Sequence, residues 1–373
     1  MIFPFGQKKR GPWQGLALTV LGALALSACS TAPVPQAALQ SSPGTASQGD
    51  EDRVVLGDTR AVTPVGLAVS GTRWWNEGSR WWAEGTRWWG EGTRWWAEGS
   101  RWWNEGTFGP MPQNTASFRL AGLDRAEARS PHAGEGVTVA VIDSGVDASH
   151  PMLRGAVRPG YDWVDDDDDA SEADAGLGAG YGHGTAVAGL VRQVAPGAAL
   201  LPLRVLGPDG SGRAADVARA IRFAVDAGAG VINLSVASSS SSEGVRAALQ
   251  YAVGRGVLIV AASGNEGGDV PQAPARSLDG DSPLGQLGVS VTAVDAAGDL
   301  PAWSTRGGEV LAPGVQLESA YPGGRVVTAT GSSFSAPIVS GALALALAEG
   351  RDARALAAHL ASGQLLDVAE LLR

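Results

Sequence analysis

Four short motifs in a fixed order carry side chains that could together hydrolyse a carbonyl compound. Val-Ile-Asp143-Ser-Gly contains a carboxylate, Gly-His183-Gly-Thr an imidazole, Ala-Ser-Gly-Asn265 an amide and Gly-Ser-Ser333-Phe a hydroxyl. A serine hydroxyl is a weak nucleophile until a neighbouring imidazole takes its proton, and the imidazole needs a carboxylate on its other nitrogen to hold its tautomer. The residue types therefore predict Ser333 as nucleophile, His183 as general base and Asp143 as the acid that orients it.

Asn265 is predicted to complete this chemistry as an oxyanion donor. Attack on a carbonyl carbon leaves a negative charge on the oxygen, and an amide N–H directed at that oxygen stabilises it. The side chain of Asn265 can supply such a donor.

The residues around each motif predict the elements that position these groups. The apolar, β-branched run at 136–143 predicts a buried parallel strand with Asp143 at its carboxyl end, and the run at 257–261 predicts a second strand. Short side chains after His183 predict a helix that starts at this residue. After Ser333, the apolar run from Ser335 predicts another helix, with Pro337 in its opening turn.

Together these motifs resemble the subtilisin-like serine proteases, or subtilases, over roughly residues 119–373. The resemblance implies an α/β fold of three layers, with a mostly parallel central sheet and helices on both faces. It also implies cleavage of peptide bonds through an acyl-enzyme intermediate, without a cofactor for the chemistry. A strand followed by a helix at 214–227 and a strand at 230–235 is typical of the same fold, as a right-handed crossover.

The resemblance also implies where a substrate binds. In the family, two stretches flank an extended peptide and pair with its backbone. The implied substrate-binding residues are Gly210, Ser211 and Gly212; Ser235, Val236 and Ala237; and Ser263 and Gly264. Because Val236 and Ala237 stand where the family often has glycine, we expect a narrowed first specificity pocket that takes small or medium apolar residues.

Two other classes of serine hydrolase fit the sequence less well. The α/β-hydrolases carry the nucleophile first and within Gly-x-Ser-x-Gly, whereas Ser333 comes last and lies in Gly-Ser-Ser-Phe-Ser. Sedolisins have a similar nucleophile motif but use a glutamate base, and the Gly-His183-Gly-Thr motif argues against them.

The N-terminus predicts export. Residues 8–10 are basic, residues 16–26 are apolar, and Leu26-Ser27-Ala28-Cys29 resembles a bacterial lipobox. We interpret residues 1–28 as a lipoprotein signal peptide and Cys29 as the lipidated residue; the alternative is an ordinary signal peptide cut after Ala28. Both interpretations place the protein outside the cytoplasm, and the first anchors it to a membrane of the cell envelope.

Two segments of low complexity follow. Residues 29–71 are rich in Pro, Ala and Ser and predict a flexible tether. Residues 72–107 repeat a seven-residue unit, Thr-Arg-Trp-Trp-Asn-Glu-Gly, that holds ten of the 13 tryptophans. The sequence does not decide between helix and strand for this repeat. Its aromatic stripe with Arg can stack on planar or sugar faces, lie at a membrane interface beside the lipid anchor, or dock on the protease domain, and we favour the interface; the alternative is a low-complexity expansion without a specific ligand. The compact prodomain that many subtilases carry is not recognisable here.

Charge and composition restrict the partners. The formal net charge of −10 makes nucleic acid an improbable ligand. Acidic residues concentrate in an acidic loop that comprises Asp162, residues 165–169, Glu172 and Asp174. Asp165, Asp167 and Asp169 could bind structural calcium, since clustered carboxylates suit a hard cation. A solvated loop is the favoured interpretation, and Met152 stands where the family often has a calcium ligand.

The sequence thus predicts an exported, lipid-tethered, monomeric serine endopeptidase acting on proteins or peptides. The alternative is a catalytically silent envelope protein that binds a ligand through the Trp repeat.

Overall fold

The computed structural model describes residues 53–55, 63–64, 111–172, 180–278, 282–361 and 363–373. The signal peptide, Cys29, nearly all of the tether, the Trp repeat and Asp174 lie outside the described residues. The predictions made for them stay predictions.

A central sheet of eight strands organises the described chain, in the order β13-β10-β9-β8-β7-β3-β5-β4. Every neighbouring pair in this sheet is parallel. The strands are β3 (Thr138–Asp143), β4 (Tyr161–Asp162), β5 (Ala199–Arg204), β7 (Val231–Leu234), β8 (Leu258–Ala262), β9 (Gly288–Val294), β10 (Val310–Pro313) and β13 (Gln364–Leu365).

Five further strands form two small antiparallel sheets. They are β1 (Arg53–Val55), β2 (Thr63–Pro64), β6 (Ser211–Arg213), β11 (Leu317–Tyr321) and β12 (Arg325–Ala329). Strand β1 pairs with β6, while β12 lies between β11 and β2.

Seven α-helices are found in the described residues. They are α1 (Thr115–Leu120), α2 (His183–Val194), α3 (Ala214–Asp226), α4 (Glu243–Gly254), α5 (Ser332–Ala348), α6 (Ala353–Leu360) and α7 (Val368–Leu371). None of these helices combines the length and the apolar character needed to cross a bilayer.

Strand β3 shows why the sheet is covered on both faces. All six of its residues are buried, and successive side chains of a strand point to opposite faces. Val139 and Val141 belong to the core that contains the buried residues of α2 and α5, whereas Ala140 and Ile142 belong to the core formed with α3 and α4. The predicted three-layer α/β fold is therefore confirmed.

Helix α5 begins earlier than predicted. Ser332 is its first residue, so Pro337 lies in the second turn rather than in the opening turn. Nearly the whole helix is buried, as expected for an apolar helix that packs against one face of the sheet. Because proline has no N–H, the carbonyl group four residues earlier, that of Ser333, loses its usual intrahelical donor.

Candidate active site

The carboxyl end of β3 and the first turn of α2 bring Asp143 and His183 into contact. Asp143 is the last residue of its strand and His183 is the first residue of its helix. Nδ1 of the imidazole lies 2.7 Å from Oδ1 of the carboxylate, and both side chains are 0% exposed. Nδ1–H therefore donates to Asp143, which leaves Nε2 as the nitrogen that can accept a proton.

Gly184 allows this close approach of helix and strand. A Cβ atom at this position would lie 2.2 Å from the carbonyl oxygen of Gly145 and 3.1 Å from Cβ of Asp143. Only glycine therefore lets the first turn of α2 contact the backbone after β3. The backbone N–H of Ser144 adds a second hydrogen bond to Oδ1 of Asp143, at 2.7 Å.

Ser333 lies in the first turn of α5 and is 1% exposed. Its hydroxyl donates to the carbonyl oxygen of Ser235 at 3.4 Å. Nε2 of His183 is buried and has no hydrogen-bond partner among the described residues. The next residue, Phe334, packs its ring 5.1 Å from the imidazole, at an interplanar angle of 51°. The base thus lies against the helical turn that carries the nucleophile.

Ser235 supports this turn from the other side. Its hydroxyl donates to the carbonyl oxygen of Ser333 at 2.8 Å, which replaces the N–H that Pro337 lacks. The same hydroxyl accepts from the amide of Asn233 at 3.0 Å, and Asn233 in turn accepts from Ser340 on α5 at 2.9 Å. The prediction of Ser235 as a substrate-binding residue did not include this role.

Asn265 is also held beside the nucleophile. Its Oδ1 accepts from the backbone N–H of Ser332 at 2.8 Å, and the backbone N–H of Gly264 donates to the Ser332 hydroxyl at 3.1 Å. This orientation directs the amide nitrogen toward Gly331, where a Cβ atom would lie 3.2 Å from Nδ2. The structure therefore brings Asn265 to the start of α5, as the prediction of an oxyanion donor requires.

The predicted substrate-binding residues lie at three places in the chain, and the first place is strand β6. Ser211 and Gly212 lie on β6, and Gly210 precedes it with a φ of +75°. The edge of β6 pairs with an extended segment of the same chain, in the register Val54 to Gly212. This edge accepts a peptide backbone.

Val236 lines a small, open cavity between α3, α4 and the serine-rich loop before α4. Its apolar lining includes Val217, Val245 and Leu249. Ala237 is buried but is not part of this lining. The two residues predicted to narrow one pocket therefore do not share this cavity.

Ser263 is buried, and its polar groups form hydrogen bonds inside the protein. Its hydroxyl donates to the carbonyl oxygen of Thr305 at 2.9 Å, and its own carbonyl accepts from the N–H of Gln272 at 2.8 Å. With these bonds in place, Ser263 supports the turn that precedes Asn265.

The acidic loop is only partly solvated. Residues 165–169 are exposed as predicted, but Asp162 is buried and paired with Arg204, which also binds Asp165. The carboxylates of Asp167 and Asp169 accept backbone N–H groups within the loop. No group of three carboxylate, His or Cys side chains able to hold a metal ion occurs in the described residues. Structural calcium bound by Asp165, Asp167 and Asp169 stays a prediction.

A parallel α/β fold with a buried Asp–His pair next to a helix-borne serine defines a serine hydrolase. Residues 134–362 match the Subtilase family, and the chain belongs to this family. It is a serine peptidase of the subtilisin type, as the resemblance implied.

Individual relatives agree with this assignment. Thermitase from Thermoactinomyces vulgaris is 34% identical over 225 residues, which are 59% of this chain and 78% of thermitase. Subtilisin BL from Lederbergia lenta is 35% identical over 232 residues, or 60% and 82% of the two chains. The crystal structure of a cold-adapted subtilisin-like serine proteinase covers 60% of this chain and 81% of its own, at 32% identity and a TM-score of 0.54.

The close contact at Gly184 predicts that a methyl group at this position disturbs the His183–Asp143 pair. In Gly184→Ala the new Cβ must push α2 away from β3, which lengthens the His183–Asp143 hydrogen bond. Since a displacement of about 1 Å in a catalytic group can cost roughly 10²-fold, we expect kcat/KM on a peptide substrate to fall by about that factor. Gly254→Ala, at the end of α4 with nothing within 4 Å of its Cβ, is the matched control and should keep full activity. Equal activity in both variants would contradict this role of Gly184.

Proposed function

We propose that this protein is an exported, lipid-tethered endopeptidase that cleaves peptide bonds with Asp143, His183 and Ser333 as triad and Asn265 as oxyanion donor. The observation that carries the proposal is the buried 2.7 Å hydrogen bond from His183 to Asp143, which leaves Nε2 without a partner among the described residues. A general base needs this tautomer and an unoccupied acceptor nitrogen.

Acylation starts with the proton of Ser333. A rotation about χ1 takes its hydroxyl from the carbonyl oxygen of Ser235 to Nε2 of His183. As Oγ forms a bond with the substrate carbonyl carbon, Nε2 takes the proton and the carboxylate of Asp143 stabilises the imidazolium. The imidazolium then protonates the leaving amine as the C–N bond breaks. Water attacks the acyl-enzyme by the same route and releases the acid.

The negative charge on the carbonyl oxygen is stabilised at the start of α5. Nδ2 of Asn265 donates to it, because Oδ1 is already engaged with the backbone N–H of Ser332 and so fixes which end of the amide faces Gly331. The N-terminus of a helix also favours negative charge. Loss of the corresponding amide in subtilisin itself costs roughly 10²–10³ in kcat, and we take over that magnitude for Asn265.

A peptide substrate binds as an added strand along β6. The pairing of β1 with this edge supports the proposal, since an extended backbone is accommodated there in antiparallel register. The cavity lined by Val236 and Leu249 takes an apolar side chain, and Val236 directly follows Ser235 beside the nucleophile. The substrates are therefore extended segments of proteins or peptides with apolar residues next to the cleaved bond.

The location follows from the N-terminal sequence. A lipid on Cys29 anchors the enzyme, outside the cytoplasm, to a bacterial membrane of the cell envelope, and residues 29–71 connect the anchor with the Trp repeat. Two tryptophans in every repeat beside this anchor favour the membrane interface.

A fluorophosphonate probe tests the proposed chemistry. We expect it to label the wild-type protein, and Ser333→Ala to abolish labelling, because the probe reacts only with an activated serine. Ser149→Ala, at an exposed serine outside the site, is the matched control and should be labelled like the wild type. A correctly folded wild type that resists the probe would favour the silent binding protein with the Trp repeat as its functional part.

The pairing of β1 with β6 predicts competition with substrate. Replacing residues 53–55 by Gly-Ser-Gly should weaken this pairing and lower KM for an extended peptide several-fold with kcat unchanged, because the competent state becomes more populated. The same replacement at residues 36–38 of the tether is the control. An unchanged KM in the first variant would contradict substrate binding along β6.

A further inference from the structure

We propose that Glu172 is a positioning residue of the active site, which holds the first turn of α2 against the loop after Asp143. This inference rests on the proposed triad. The sequence placed Glu172 only in the acidic loop, and nothing in the catalytic motifs includes it.

The carboxyl group of Glu172 accepts hydrogen bonds from the backbone on both sides of His183. Oε2 accepts from the N–H of Gly182 at 2.9 Å, and Oε1 accepts from the N–H of Thr185 at 3.1 Å and from its hydroxyl at 3.0 Å. Gly182 precedes the catalytic histidine and Thr185 lies two residues after it. Three hydrogen bonds to one carboxyl group therefore orient the turn that carries the imidazole.

Helix α2 depends on these bonds because it has no cap of its own. The first N–H groups of a helix lack intrahelical acceptors, and the residue at the N-cap position, Gly182, has no side chain. Acceptors instead come from distant residues. Glu172 accepts from the N–H of Thr185, and the hydroxyl of Ser144 accepts from the N–H of Gly184 at 3.0 Å.

The carboxyl group of Glu172 is also connected to Asp143, through Ser144. The hydroxyl of Ser144 lies 3.4 Å from each oxygen of Glu172, and the N–H of Ser144 donates to Asp143. The hydroxyl of Thr185 accepts from the N–H of Asp147, farther along the loop after β3. Glu172 is thus hydrogen-bonded to the segments that carry both Asp143 and His183, and it contributes to the distance between them.

The charge of Glu172 changes in the range where the enzyme would work. The pKa of its carboxyl group is raised to about 8, chiefly by burial and to a smaller extent by the negative charge of Asp143, while the N–H donors of Gly182 and Thr185 oppose the shift. Besides the Asp143–His183 pair, the phenols of Tyr181 and Tyr321 face this group, and its charge contributes to the raised pKa of each. Ionisation of Glu172 above neutral pH adds a negative charge near the imidazolium that forms during catalysis.

Three variants of the full-length protein test the proposal: Glu172→Gln, Glu172→Ala and the control Glu135→Gln at an exposed glutamate before β3. Rates are expressed per active site titrated with the fluorophosphonate probe. We expect kcat to fall about 10-fold or more in Glu172→Ala and less in Glu172→Gln, with KM within about 2-fold, because geometry rather than substrate contact is lost. The control should match the wild type.

The pH profile separates positioning from simple stabilisation. The wild-type kcat should show a step near pH 8, where Glu172 ionises, and Glu172→Gln should lack that step. Since the folded-state pKa is raised above its ordinary value of 4.5, the stability due to the neutral acid is complete below about pH 4.5 and is lost as the pH rises through about 8. The melting temperature of the wild type should therefore fall over this range more steeply than that of Glu172→Gln.

The inference would be overturned if both Glu172 variants kept the wild-type kcat per titrated site and the wild-type pH profile while losing only thermal stability. Should Glu172→Ala fail to fold, the isosteric Glu172→Gln decides the question alone. Failure of the underlying proposal is distinguishable, because the wild type itself would then not react with the probe.

Discussion

The hydrogen bond between Nδ1 of His183 and Oδ1 of Asp143 joins two fully buried side chains, and much of the surrounding structure is needed to form it. A buried carboxylate loses its hydration, so it is tolerated only where donors replace the lost water. Oδ1 of Asp143 receives two such donors, from the imidazole and from the backbone of Ser144. A hydrogen bond to a buried charged group contributes about 1.5–3 kcal/mol. The pair is therefore a structural element as well as a catalytic one.

The fold meets this requirement through the parallel sheet. Parallel strands end at a common edge, and helices that follow them start near that edge, where ligands of open α/β sheets bind. Helices α2 and α5 belong to the same core on one face of the sheet, and a Cβ at Gly341 of α5 would lie 2.7 Å from Cβ of Val194. Because the two helices pack this closely, the first turn with the base and the first turn with the nucleophile are held relative to each other. Phe334 completes the contact by packing on the imidazole.

Sequence patterns predicted the parts of the site that depend on local structure. The apolar run before Asp143 and the small residues after His183 specify a strand end and a helix start, and the structure has both. Long-range contacts were missed. Nothing in the sequence shows that Glu172 caps a helix eleven residues later, or that Ser235 donates to the carbonyl group freed by Pro337, because both depend on how separate elements pack.

Three further differences between the predictions and the structure also have physical causes. The predicted start of α5 was late because the serines before Pro337 are weak helix formers in isolation and are helical here through burial. Strand β1 has only three residues, too few for a hydrophobic period to be seen. Asp162 was expected in solvent because its partner, Arg204, lies 42 residues away on β5.

A crystal structure of the protein after reaction with a peptidyl phosphonate tests the central claim most directly. The account predicts a covalent bond from phosphorus to Oγ of Ser333, Nδ2 of Asn265 within hydrogen-bond distance of the phosphonyl oxygen, and an intact hydrogen bond from His183 to Asp143. An adduct on another side chain, or an imidazole that has left Asp143 and cannot reach Oγ of Ser333, would contradict it.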